Sequence, residues 1–103
     1  MDALRRGLDA EPGALAAPSQ FGHAEAFWVN GVEIAHIEGE HVLEVRLTRK
    51  VISEMRPELK AHDSVRLRRH TSDWLEVVIA GGDDTEFAIS LFRRAVEEHR
   101  HRR

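Results

Sequence analysis

The dipeptide Asn30-Gly31 constrains this chain more than any other feature. It lies between two runs rich in strand-forming residues, Ala26-Phe27-Trp28-Val29 and Val32-Glu33-Ile34-Ala35-His36-Ile37. A two-residue type I′ turn needs positive φ at both central positions, and Asn-Gly supplies it at little steric cost. The pattern predicts a β-hairpin in which Val29 faces Val32 and Phe27 faces Ile34. Trp28 then lies opposite Glu33, on the other side of the sheet. A third strand, His41-Val42-Leu43-Glu44-Val45-Arg46-Leu47, follows. Two corners keep its apolar residues level with Val32 and Ile34. Gly39-Glu40 as a type II′ turn sets Glu33 opposite Arg46. Glu38-Gly39 instead puts a glutamate at positive φ and Glu33 opposite Glu44, so sterics and charge favour the first.

The rest of the chain reads as three helical stretches and a second hairpin. Thr48 can cap a helix whose Val51, Ile52, Met55 and Leu59 share one face. Pro57 predicts a kink there, or two short helices with Pro57 opening the second. Val65-Arg66-Leu67-Arg68-Arg69 and Trp74-Leu75-Glu76-Val77-Val78-Ile79 form the second hairpin. A Thr71-Ser72-Asp73 loop pairs Leu67 with Val77, Val65 with Ile79 and Arg68 with Glu76. Gly81-Gly82 ends that strand, and Asp83-x-x-Glu86 resembles a capping box for a last helix. That helix carries Phe87, Leu91, Phe92, Ala95 and Val96 on one face, and its basic tail, His99 to Arg103, reads as a frayed end. Residues 1–20 form an irregular N-terminal segment. It holds a short helix bearing Leu4 and Leu8, weakened by Gly7, and a turn near Ala14 to Ala17. Residues 21–103 form one domain.

The order α-β-β-β-α-β-β-α predicts an α+β fold of two layers, a mainly antiparallel sheet with helices on one face. Its core face would carry Phe27, Val29, Val32, Ile34, Leu43, Val45, Leu47, Val65, Leu67, Leu75, Val77 and Ile79. A length of 103 residues leaves room for one domain only. No apolar run is long enough to span a membrane, and no apolar segment follows Arg5-Arg6, so neither membrane nor secretory signal is expected. Cysteine is absent, which excludes thiol chemistry and disulfides and fits a cytoplasmic setting.

Several runs carry a resemblance. They are Phe21-Gly22-His23-Ala24-Glu25-Ala26-Phe27-Trp28-Val29 with Gly31-Val32-Glu33-Ile34-Ala35-His36, then Leu47-Thr48-Arg49-Lys50-Val51-Ile52, then Ser72-Asp73-Trp74-Leu75-Glu76-Val77 with its closing helix. Together, over roughly residues 20–98, they resemble the small actinobacterial proteins of the luciferase family (DUF5519). Larger members carry Gly-His-x-His near the second strand. The matching stretch here is Ala35-His36-Ile37-Glu38, in which His36 fits and Glu38 replaces the second histidine. The resemblance implies an α+β fold, and the family label implies oxidoreductase-type or acid–base chemistry.

The residues themselves offer two readings of function. The sheet face opposite the core would carry Trp28, Glu33, Glu44, Arg46, Arg66, Arg68, His70, Trp74 and Glu76. Two tryptophans among charges on an uncovered sheet suit a binding surface, with Trp28, Glu33, Arg46, Arg68, Trp74 and Glu76 as its contact residues. Its partner would be a second copy of the chain or a small-molecule ligand. The net charge of -3 argues against nucleic acid. On this face the glutamates offset the arginines. The alternative is a small enzyme using His36 with a neighbouring carboxylate such as Glu38. His36 and His41 share parity with the core face and flank the second turn. They are the candidate metal ligands, with His23, Glu25 or Glu38 as neighbours. No recognised metal spacing is present, so no metal site is expected, and no cofactor is indicated.

Overall fold

Among the described residues, six short strands pair antiparallel into one sheet, and three helices pack against one of its faces. The computed structural model describes residues 1–22 and 25–100 of the chain. Its elements are α1 (Asp2–Asp9), β1 (Leu15–Ala17), β2 (Glu25–Val29), β3 (Val32–Glu38), β4 (Val42–Arg46), α2 (Arg49–Lys60), β5 (Val65–Leu67), β6 (Trp74–Val78) and α3 (Gly82–Arg100). The strand order is β1-β2-β3-β4-β6-β5. This is the α+β architecture and element order expected from the sequence. One strand is added: residues 15–17, expected to be a turn, pair with β2 as an edge strand. Among the described residues no helix is long and apolar enough to cross a membrane.

The core forms because one face of each strand is aliphatic and the helices bring matching stripes. Ile34, Leu43, Val45, Leu75 and Val77 from the sheet meet Val51, Ile52 and Leu59 of α2 and Leu91, Phe92, Ala95 and Val96 of α3. All twelve residues named above for the core face lie in this cluster or pack against it. Helix α1 also enters it, through Leu4 and Leu8, both fully buried. Gly7 lets α1 approach α3 closely, since a Cβ there would sit 2.4 Å from Ile89 Cδ1.

The Asn30-Gly31 turn forms as its residue types require, with φ of 50° and 76°. Helix α2 starts at Thr48, whose Oγ1 accepts a hydrogen bond from the Val51 N–H at 3.3 Å. Thr48 has a φ of 80°, costly for a β-branched residue. Asp73 braces it from the β5–β6 connection, accepting from Thr48 N–H and, through its side chain, from Arg49 N–H. Of the two alternatives at Pro57, two short helices are not seen: α2 is one 12-residue helix with Pro57 on its exposed side. The start of α3 also differs from expectation. Asp84, not Asp83, reaches back to accept from the Ala80 and Gly81 N–H groups. These backbone donors, Ala80 foremost, hold its carboxyl below the usual range.

Three registers depart from the sequence reading, and in β2–β3 Phe27 pairs with Ala35 instead of the expected Ile34. Glu38 pairs with Val42 and His36 with Glu44, so the β3–β4 corner has three residues, Gly39, Glu40 and His41, and Glu33 does not face Arg46. In the second hairpin Leu67 pairs with Leu75 and Arg66 with Glu76. That is a slip of two residues from the expected register. Faces survive a two-residue slip, so the apolar side stays buried, but Arg68 leaves the strand for the connection that follows it.

Candidate functional site

The site originates in an irregularity of β3. Trp28 pairs with Glu33, yet the next residue of β2, Phe27, pairs with Ala35. Ile34 is the extra residue of a β-bulge. Strict alternation along Val32-Glu33-Ile34-Ala35-His36-Ile37-Glu38 would turn His36 and Glu38 toward the core. The bulge places Ile34 and Ala35 both in the core and shifts the phase beyond them. Glu33, His36 and Glu38 then share the outer face, while Ile37 joins the core. This corrects the expectation that His36 lies on the core face. The driving force is burial: the bulge turns every polar residue of the strand outward at the cost of one unpaired ladder position.

On that outer face His36 is held at both ring nitrogens. Its Nδ1 lies 2.8 Å from Glu33 Oε2 and its Nε2 lies 2.5 Å from Glu44 Oε2. All three side chains are buried. Glu33 also accepts from Ser19 Oγ at 2.7 Å and from the Gln20 N–H at 2.8 Å. Ser19 Oγ in turn accepts from the Phe21 N–H at 3.0 Å. Glu33 thereby ties the histidine to the segment that carries Phe21 over it. The two hydrogen bonds of the ring need two hydrogens, and a neutral imidazole with two carboxylates supplies one.

The remaining groups complete a cleft of ≈ 330 Å³ lined by Phe21, His36, Glu44, Arg68 and Trp74. The Trp74 ring centroid is 5.0 Å from that of His36, and Phe21 stands 5.9 Å from each. Glu44 pairs directly with Glu76 across β4 and β6, a like-charge juxtaposition that destabilises unless bridged. Arg68 bridges it, donating to Glu44 Oε1 and lying 3.7 Å from Glu76. Arg46 stacks over Trp74 at 6.0 Å and contacts Asp73.

Of the expected contact residues, Glu33, Arg68, Trp74 and Glu76 gather at or beside this cleft, and Arg46 forms its margin. Trp28 is on the same face but does not line the cleft. Its Nε1 donates to the Pro18 carbonyl beneath the edge strand. The pair His36 and Glu38 is close, with a Glu38 oxygen within 4.8 Å of the ligand atoms of His36 and Glu44. Glu44, however, makes the direct contact. His41 is exposed at the corner, so it does not neighbour His36 as expected. It borders a different hollow of ≈ 510 Å³ with Met1, Ile79 and Thr85. Glu25 is taken by Arg5, two bonds of 2.6 and 2.7 Å that lower its pKa. His23 and the tail residues 101–103 lie outside the described residues. Buried His99 bonds the Ala95 carbonyl within α3. Sequence reasoning places Glu44 on this face without choosing it as a contact residue, quotes Phe21 only within the family resemblance, and passes over Ser19 and Gln20. The available signal was the adjacent apolar pair Ile34-Ala35 inside an otherwise alternating strand.

Fold and site define an α+β domain with a buried histidine–carboxylate cluster on the sheet face away from the helices. The family model for the luciferase domain matches residues 31–95, more than half of the chain, and the chain belongs to that family. Comparison with curated proteins and with solved structures finds no match.

Proposed function

We propose that this luciferase domain binds a small planar molecule in the cleft over His36. The carrying observation is the cleft itself, where aromatic walls at Phe21 and Trp74 stand beside an acceptor at Glu44 and a donor at Arg68. Its volume falls at the lower end of ligand sites, about 300–1,000 Å³. Such walls take a flat ring, and the polar pair fixes its orientation. A second copy of the chain fits the face less well. Among the described residues the exposed large apolar side chains are Leu15 and Phe21, too little for the apolar centre of a dimer interface. Nucleic acid is disfavoured because Glu33, Glu44 and Glu76 offset Arg46, Arg66 and Arg68.

The carboxylate at each ring nitrogen of His36 favours a second reading, proton transfer to the bound molecule by the His36–Glu44 pair. Fragment screening with planar heteroaromatics, read by amide and indole NMR on chelator-stripped protein, tests the ligand site. The expected hits shift the signals of Trp74, Arg68 and Phe21 together, and Trp74→Ala abolishes them. Hits confined to the hollow beside His41, or none at all, would overturn the proposal.

A further inference from the structure

We infer that the floor of this cleft is a site for a divalent transition-metal ion, held by His36 Nε2, Glu44 and Glu38. The argument starts at Glu33. Both its oxygens already accept hydrogen bonds from Ser19 and Gln20, so toward His36 it acts as an acceptor and Nδ1 donates. That fixes the tautomer and leaves the Nε2 lone pair aimed at Glu44 Oε2, 2.5 Å away. A metal ion with bonds of about 2.0–2.2 Å fits between these two atoms once they part to roughly 3 Å. A buried carboxylate on the far nitrogen of an imidazole is the arrangement that orients metal-binding histidines and raises their basicity. Glu44 is prepared in the same way: Arg68 occupies Oε1 and leaves Oε2 directed at His36. The third ligand comes from the strand end. The ligand atoms of His36, Glu38 and Glu44 all lie within 4.8 Å of one another.

The donor set and the electrostatics agree on the class of ion. One imidazole and two carboxylates suit zinc or manganese, whereas calcium and magnesium prefer oxygen ligands alone. The acids of the cluster outnumber Arg68, which is itself shared with Glu76, so the floor attracts positive charge. The cleft opens above the cluster, which leaves room for water or a bound molecule to complete the coordination. The inference concerns the floor of the ligand cleft but does not require the ligand. Metal titration without fragments and fragment screening without metal fail separately.

The test is calorimetric titration of the chelator-stripped full chain with zinc chloride and with manganese chloride, followed by histidine ring NMR. Seven histidines are present, so the readout must be site-specific. One zinc ion per chain is expected, with the His36 ring signals shifted most. Glu38→Gln, an exposed substitution that spares the fold, is expected to weaken binding by about tenfold or more. His41→Gln is expected to leave it unchanged. Absence of zinc and manganese binding would overturn the inference. So would binding that Glu38→Gln leaves intact, or that His41→Gln alone removes.

Discussion

Glu33→Ala is expected to destabilise the protein by about 3–5 kcal/mol, the cost of breaking a buried charged network by removing one partner. The deletion strands three donors at once, the Ser19 hydroxyl, the Gln20 N–H and His36 Nδ1. Against a typical total stability of about 5–15 kcal/mol, that is a large share. Glu33→Gln keeps one acceptor oxygen and is expected to cost less, about 1–3 kcal/mol. The two variants separate a network from a generic packing effect, because their volumes bracket little else. Urea denaturation at neutral pH measures both. The same loss should free the Phe21 segment, so proteolytic nicking near residues 19–22 is expected to accelerate in Glu33→Ala. Equal stability of wild type and Glu33→Ala would mean that Glu33 does not hold His36 or the segment above it.

Phe92→Ala is expected to cost a similar amount, about 3–5 kcal/mol, for a different reason. Phe92 is fully buried on α3 and meets Phe27 edge to face at 5.4 Å, so its loss leaves a cavity between helix and sheet. The rigid ladder of β2, β3 and β4 around it limits collapse of that cavity, which keeps the cost high. This side of the sheet is remote from the cleft, so folded Phe92→Ala is expected to retain the wild-type NMR signals of His36 and Trp74. Thermal unfolding gives the energy, and the ring signals report the site. A loss below about 1 kcal/mol would show that α3 does not seat on the sheet through this residue.

The layer arrangement was legible because it depends on period alone. Alternation in β2, β4 and β6 and the helical stripe of α3 each name the core side, and a register error of two residues, as at Leu67, leaves that choice intact. The site was less legible because it depends on one extra residue. Nothing in the composition of β3 forces a bulge at Ile34. The bulge wins only when the whole strand is weighed, since strict alternation would bury His36 and Glu38 without partners. The connection after β5 was similarly opaque. By pattern Arg68 is a strand residue facing Glu76, whereas it acts from outside the strand, drawn to the paired carboxylates of Glu44 and Glu76. The contributions of Ser19 and Phe21 arise from tertiary contact with Glu33 and His36, and no local pattern announces them. Helix α1 belongs to the same class: Gly7 reads as a weak point, yet its missing side chain is what lets Leu4 and Leu8 reach the core.

The central claim is that the bulge turns the His36 ring to the side away from the helices. Nuclear Overhauser contacts of the His36 ring protons measure this directly in the unmodified chain. Cross-peaks to the Trp74 indole and the Phe21 ring are the expected result. Cross-peaks to methyl groups of Leu43, Leu75 or Leu91 instead would set the imidazole among the aliphatic residues and remove the site.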